Sequence, residues 1–137
     1  MNQMPAGVRS VDGIVSTCSP RPVGDTVARL SELIRGAGAT LFAVIDQSGE
    51  AGKAGLTLRD TKLLIFGSPA AGTRIMAADP LAAIDLPLKI VVWQDDDGAV
   101  WMTYPDPAWL AARHELTGPL AAPLSAPAAL TSKAAAP

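Results

Sequence analysis

Two apolar segments in the second half of the chain place the strongest constraint on its fold. Residues 88–94 and 99–104 are rich in β-branched and aromatic side chains, and Asp95-Asp96-Asp97-Gly98 joins them, which predicts a β-hairpin. If the loop holds an even number of residues, the pairing makes both faces apolar, so helices must cover one face and a second subunit could cover the other. The expected faces are Val91, Trp93, Val100, Met102 and Tyr104 on one side, and Ile90, Val92, Trp101 and Thr103 on the other.

The remaining patterns predict short strands that alternate with helices. Apolar residues at helical spacing predict an amphipathic helix over residues 23–37, and Asp106 followed by Pro107 predicts the start of a helix that runs to about Leu116. Thr73 is the expected cap of a short helix that ends before Pro80. The predicted fold class is α+β, a single compact domain in the order β-α-β-(α)-β-α-β-β-α with a largely antiparallel sheet. The other predicted elements are strands at residues 13–18, 40–46 and 61–66 and a short helix at residues 48–55.

Composition divides the 137 residues into three parts. We expect a flexible N-terminus at residues 1–10, one α+β domain at residues 11–117 and an Ala/Pro-rich tail at residues 118–137. Pro119, Pro123 and Pro127 are spaced by four, which prevents one continuous helix, and nothing there alternates like a strand. The sequence therefore predicts an extended or disordered tail.

Charge and cysteine content exclude several classes of function. The net charge is −2 and the cations are scattered singly, which argues against nucleic acid as a partner. Cys18 is the single cysteine and His114 the single histidine, so we expect no disulfide, no metal site within one chain and no cofactor. No apolar run is long enough for a signal peptide or a membrane span, so we expect a soluble, cytoplasmic protein with no membrane partner.

Four segments carry a resemblance to a known family. They are Val44-Ile45-Asp46, Leu63-Leu64-Ile65-Phe66-Gly67-Ser68-Pro69 with Gly72-Thr73, Leu86-Pro87-Leu88-Lys89 through Val92-Trp93, and Tyr104-Pro105-Asp106-Pro107-Ala108-Trp109-Leu110. In order and spacing they resemble the "domain of unknown function 302" family of small bacterial proteins. The resemblance implies a compact α+β domain, homodimeric and without an established activity. Ser68 and Pro105 stand where the family pattern usually has asparagine, which weakens any ligand site that depends on those amides.

Two glycine-containing loops are better explained by structure than by chemistry. Residues 67–73 have the glycine spacing of a phosphate loop but lack its lysine, so a strand-to-helix turn is favoured over a weak anion site. Asp95, Asp96 and Asp97 lack the alternation and the distal glutamate of a calcium loop, so a solvated hairpin turn is favoured.

The polar residues at the ends of apolar segments are the candidate functional residues. Asp46 ends an apolar strand, where it either forms the next turn or serves a site at the end of the sheet. His114 is expected at the surface or at a subunit interface, and Cys18 as a small buried hydrophobe. Asp46 and His114 are the candidate acid/base residues, whereas the candidate ligand-binding set is Asp46, Lys62, Ser68, Thr73 and Tyr104.

Because catalytic constellations are almost absent, the sequence favours a non-catalytic, dimeric small-molecule-binding or regulatory protein, with a small-molecule or anionic ligand. The first alternative is a small hydrolase-like or isomerase-like enzyme that uses Asp46 and His114 in a dimer cleft. The second is a protein–protein interaction module that docks its partner on the hairpin face around Ile90, Val92 and Trp101.

Overall fold

The computed structural model describes residues 7–137, which form one six-stranded sheet with helices packed against it. The sheet order is β1-β2-β6-β5-β4-β3 and every neighbouring pair is antiparallel, so the predicted α+β fold is confirmed. The strands are β1 (Val8–Val11), β2 (Ile14–Ser19), β3 (Thr40–Asp46), β4 (Thr61–Gly67), β5 (Leu88–Gln94) and β6 (Val100–Pro105). The helices are α1 (Val23–Gly36), α2 (Gln47–Lys53), α3 (Pro69–Ala78), α4 (Pro107–Arg113) and α5 (Ala126–Ala134), with 3-10 turns at Pro80–Ile84, Gly118–Leu120 and Ala122–Ser125.

The two faces of the sheet differ in how well they are covered. Alternate residues of β4, β5 and β6 point into the core, where Leu64, Ile90 and Met102 are fully buried. Leu30 and Ile34 of α1 are also fully buried and close this core from the helix side. The intervening positions of the sheet are only partly covered, and we call this second surface the open face. Its central apolar residues are Leu63 and Ile65 of β4 and Val91 and Trp93 of β5.

The hairpin β5–β6 forms as predicted, but the expected distribution of its side chains between the faces is wrong. Gln94 pairs with Val100 and Val92 with Met102, so the connection has an odd number of residues. The reason is a three-residue loop: the Asp95 N–H donates to the Ala99 carbonyl at 2.8 Å, and Gly98 takes the left-handed conformation with φ 85°.

This pairing also removes the candidate docking surface on the hairpin. Ile90 and Val92 lie in the core at 0% exposure, and Trp101 is 5% exposed. Trp101 lies on the open side of the sheet, but the Arg9 guanidinium covers its ring at 4.4 Å from the centroid. These three residues therefore offer no exposed docking surface in one chain.

The C-terminal segment is ordered and contributes to the core, so the prediction of an extended or disordered tail is wrong. Each proline lies in the first turn of a separate short helix, Pro119 and Pro123 in 3-10 turns and Pro127 in α5. Proline is tolerated there because the N–H that it lacks would have no partner within the helix. Leu124 and Leu130 are 3% and 5% exposed, because this segment packs against α1.

Two other segments have bounds that differ from the predicted ones. Residues 8–11, part of which was predicted to be flexible, form the edge strand β1, whereas the prediction for residues 1–6 lies outside the described residues. The helix expected to begin at Thr73 begins at Pro69 instead, because the Ser68 side chain accepts the Ala71 N–H at 3.3 Å and caps it.

Candidate functional site

A cleft of about 480 Å³ lies where the open face reaches one end of the sheet. Leu63, Val91 and Thr103 form its floor. Its walls come from the turn between β1 and β2, from the segment that leads into β5, and from α4. The lining is mostly apolar with a few charged groups, which is the usual make-up of a small-molecule site.

Helix α4 places two side chains of the cleft side by side. The Asp106 side chain accepts the Ala108 N–H at 3.0 Å and Pro107 follows it, so the helix starts at a fixed point. Trp109 and Arg113 are four residues apart and therefore share one side of the helix. The Trp109 ring packs against Gly13, which has φ +74° and leaves no room for a larger residue, because a Cβ there would lie 3.0 Å from the ring.

Arg113 is stacked on Trp109 but only weakly paired. Its guanidinium carbon lies 5.4 Å from the centroid of the Trp109 ring. One terminal nitrogen, Nη1, approaches the Asp85 carboxylate at 3.4 Å, which is long for a charged hydrogen bond. Within residues 7–137 no other carboxylate pairs with this guanidinium, so most of its donors remain available.

Lys89 adds a second cation to the lining of the cleft. Its Nζ donates to the Pro87 carbonyl at 2.9 Å, and an ammonium group has two further protons to donate. Tyr104 also lines the cleft and is 6% exposed, and its hydroxyl forms no hydrogen bond with residues 7–137. The same tyrosine lines a second cavity of about 530 Å³, which Cys18 and Ser132 also line. The cleft thus offers cationic donors beside an apolar floor.

His114 lies directly behind the cleft, between two carboxylates. Its side chain is 7% exposed, so His114 does not lie at the open surface, and its expected place at a subunit interface stays a prediction. Nε2 lies 2.5 Å from Asp85 Oδ2 and Nδ1 lies 3.3 Å from Asp79 Oδ2. Ionised carboxylates only accept hydrogen bonds, so the histidine is the donor wherever a ring nitrogen carries a proton. Asp79, Asp85, Arg113 and His114 form what we call the His114 cluster.

The sequence did not indicate this cluster, because its contacts are long-range. His114 and Asp85 are separated by 29 positions. Asp79 precedes Pro80 and accepts the Leu81 N–H at 3.1 Å. In the sequence Asp79 therefore looks like a helix cap, and Asp85 is an acidic residue just before Leu86-Pro87. Neither pattern indicates that both residues approach His114.

Asp46 and Lys62 meet at the opposite end of the sheet, as part of a small polar group. Lys62 Nζ lies 2.9 Å from Asp60 Oδ1 and 4.0 Å from Asp46 Oδ1. Asp46 accepts the Gly49 N–H at 2.9 Å and the Ser48 hydroxyl at 2.8 Å, so it caps α2 as a turn-forming carboxylate does. These bonds, the one from Gly49 above all, lower the pKa of Asp46, whereas the hydrogen bond to Asp60 raises the pKa of Lys62.

The five residues predicted to bind a ligand do not converge on one site. Ser68 caps α3 and Thr73 lies within it. This helix follows the end of β4 that is farther from Lys62. Only Tyr104 lines the cleft. Along β4, Lys62 and Phe66 are about 13 Å apart at strand spacing, and Phe66 pairs with Leu88 near the His114 cluster. Asp46 and His114 therefore do not meet within one chain.

Replacing Asp46 with asparagine should change how stability depends on pH. Because folding lowers the pKa of Asp46 below its ordinary value of 3.8, the ionised carboxylate stabilises the fold above that pH. This contribution is lost as the pH falls through the lowered pKa. Asparagine keeps a cap acceptor but does not titrate, so Asp46→Asn should be less stable than the wild type at pH 6, with the difference narrowing towards pH 2.5. Urea unfolding at both pH values measures this, and a constant or widening difference would contradict it.

Within residues 7–137 no group of three or more His, Cys, Asp and Glu side chains is arranged to hold a metal ion. In the His114 cluster the two carboxylates approach different ring nitrogens.

In the part of the chain that the structure describes, no helix has the length and apolar character needed to cross a membrane.

Comparisons with known proteins agree with the fold. Residues 15–127 match the family described as "Domain of unknown function DUF302". The crystal structure of an uncharacterized conserved DUF302 protein from Bacillus stearothermophilus superposes with a TM-score of 0.76 and 17% sequence identity. The match covers 91% of this chain and 97% of that one. At this identity the likeness establishes the fold alone.

Curated relatives match over part of their length. A 104-residue segment is 39% identical to Fluoride-specific ion channel FluC 1 of Brucella suis and of Brucella abortus. The segment is 76% of this chain but only 41% and 38% of those proteins, so the chain spans about two fifths of the relatives that it matches.

Proposed function

This chain belongs to the DUF302 family, and we propose that it is a non-catalytic domain that binds a small molecule in the cleft beside Trp109. The proposal rests on one observation: an apolar floor lies beside two cationic side chains whose hydrogen-bond donors are only partly satisfied by the protein. Leu63 and Val91 supply the floor, whereas Arg113 and Lys89 supply the donors. A cleft of about 480 Å³ lies within the range of roughly 300–1,000 Å³ that is typical of ligand sites.

The two candidate acid/base residues, Asp46 and His114, are already engaged, which supports a binding role over a catalytic one. Both nitrogens of His114 face carboxylates. The Asp46 carboxylate accepts hydrogen bonds from its own helix end and from Ser48. A general base must reach the proton that it removes, directly or through one water, and neither residue lines the cleft.

We further propose that the domain is a homodimer in which a second copy packs on the open face. The open face carries Ile65 and Trp93 in partly exposed positions, and Ile45 at its margin is 39% exposed. Leu63 and Val91 belong both to this face and to the floor of the cleft, so a second copy there would narrow the opening of the cleft. Apolar surface that faces solvent in one chain is typical of such contacts.

The relatives suggest a regulatory setting for this binding. Their name is that of a fluoride channel, and the segment that matches this chain is about two fifths of their length. Residues 7–137 provide no membrane-spanning helix, so we propose that the matching segment accompanies the channel part and responds to a ligand rather than conducting ions. For this chain the corresponding role is that of a ligand-responsive regulatory domain.

A thermal-shift screen against small metabolites, simple carboxylates, amines and sodium fluoride tests the binding function. A ligand at 100 times its dissociation constant adds about 2.7 kcal/mol to the free energy of unfolding, so at least one compound should raise the melting temperature of the wild type. Trp109→Ala should abolish the shift, because Trp109 forms a wall of the cleft. Leu56→Ala, at an exposed loop position, should leave it unchanged. If no compound stabilises the wild type, the proposal is wrong.

Light scattering coupled to gel filtration tests the dimer. The expected mass is twice the 14.1 kDa of one chain. Ile65→Glu places a charge in the middle of the open face and should give the monomer mass, because burying an unpaired carboxylate is costly. Leu56→Glu adds the same charge at a position that is already 68% exposed and should remain dimeric. A wild-type mass of 14.1 kDa at tens of micromolar would refute the dimer.

A further inference from the structure

We propose that the cleft selects a small carboxylate with an apolar body and that Arg113 is the residue that recognises its carboxylate. The inference rests on the proposed binding function and adds the chemical class of the ligand. It follows from the position of Arg113, from the closer pairing of Asp85 with His114 and from the apolar floor.

Arg113 is held in an orientation that suits a planar anion. Its guanidinium carbon lies over the Trp109 ring, 5.4 Å from the centroid, which is within cation–π range. The N–H groups of a guanidinium form a fork that matches a carboxylate with two parallel hydrogen bonds. Among residues 7–137 its one polar side-chain partner is Asp85, at 3.4 Å from Nη1. The side chain is 46% exposed, so a ligand can reach it.

Asp85 has a closer partner than Arg113. Its carboxylate lies 2.5 Å from His114 Nε2 and 3.4 Å from Arg113 Nη1. If a ligand carboxylate takes over the guanidinium, Asp85 therefore keeps its contact with the histidine ring.

The other charged groups of the cleft are compatible with this assignment. Lys89 is the second cation, and within residues 7–137 its Nζ bonds only to the Pro87 carbonyl. Asp12 is the remaining anion of the lining and lies in the exposed turn between β1 and β2, where solvent screens it. A carboxylate therefore finds two cations with spare donors in the cleft.

The floor of the cleft determines the rest of the ligand. Leu63 and Val91 lie next to each other in the pairing of β4 with β5 and present a flat aliphatic surface. The Trp109 ring stands beside them as an aromatic wall. A ring or a short alkyl chain can bury its apolar surface on this floor while its carboxylate remains at Arg113, which makes benzoate a suitable probe.

Isothermal titration of the full chain with benzoate, benzamide and benzylamine tests the proposal. These probes share one ring and differ in whether the attached group is anionic, neutral or cationic. We expect benzoate to bind at least tenfold more tightly than either of the others. Arg113→Gln should remove this preference, and Arg113→Lys, which keeps the charge without the fork, should retain part of it. Arg29→Gln, at a surface arginine of α1, should leave the preference unchanged.

Each other outcome refutes the carboxylate assignment, and the Trp109→Ala variant shows whether the binding function fails with it. If benzamide or benzylamine binds as tightly as benzoate and Trp109→Ala abolishes that binding, the cleft is a ligand site but the class is wrong. If benzoate binds equally well to a folded Arg113→Gln protein, Arg113 is not the recognition residue. If none of the probes binds, the carboxylate class is refuted, and the broader thermal-shift screen decides whether the cleft binds any ligand.

Discussion

Replacement of Leu130 with alanine should lower the free energy of unfolding by about 3 kcal/mol. Leu130 is 5% exposed in α5, which packs against α1 on the core side of the sheet. Truncating a buried leucine removes apolar contacts and leaves a cavity that the neighbouring helices fill only in part. An effect of this size is expected only if the C-terminal segment is part of the core.

Urea unfolding at pH 7 measures this, with Lys133→Ala as the matched control. Lys133 lies on the same helix but is exposed, so its replacement should change the free energy of unfolding by less than about 0.5 kcal/mol. If Leu130→Ala is as stable as Lys133→Ala, the segment is not packed as described. A loss confined to the leucine variant establishes that the proline-rich end contributes to the fold.

Replacement of His114 with alanine should lower the free energy of unfolding by about 3 kcal/mol as well, for a different reason. The imidazole lies between Asp79 and Asp85, whose side chains are 27% and 21% exposed. Removing it leaves two poorly solvated carboxylates close together with Arg113 as the nearest cation. Leaving a buried polar group without its hydrogen-bond partner typically costs about 1–3 kcal/mol, and more for a charged group, so the loss of both contacts is expected to be about 3 kcal/mol.

A comparison with the neutralised cluster separates charge from packing. Asp79→Asn with Asp85→Asn removes the two carboxylates, so adding His114→Ala to this pair should cost much less than adding it to the wild type. Chemical unfolding of the four proteins at pH 6 gives the coupling between the histidine and the acids. Equal costs in both backgrounds would mean that His114 acts through packing alone.

Much of the fold could be predicted from periodicity and turn chemistry. The stripe on α1 predicted its buried face, and Asp106 with Pro107 predicted the start of α4, which fixes the position of Trp109 and Arg113. The parity of the hairpin could not be predicted, because it depends on whether Asp95 pairs with Ala99. The tail was misjudged because prolines that start short helices look the same in sequence as prolines that prevent a helix.

The candidate site was less predictable than the fold. Asp46 and Lys62 were expected at strand ends and do meet, at 4.0 Å, but as part of a helix cap rather than in a cleft. The His114 cluster depends on pairings across 29 positions, which no local pattern records. Tyr104 was expected to share a face with Trp93 and Met102. It shares the core side of β6 with Met102, whereas Trp93 lies on the open face.

The cleft beside Trp109 is the proposed binding site of the ligand. The most direct test is a nuclear magnetic resonance titration of the nitrogen-15-labelled protein with the compound that gives the largest thermal shift. The indole N–H signals of the three tryptophans are the reporters. We expect the Trp109 signal to move on titration and the Trp101 signal, whose N–H is bonded to Asp95 at 2.9 Å, to stay in place. A shift at Trp101 with none at Trp109 would contradict it.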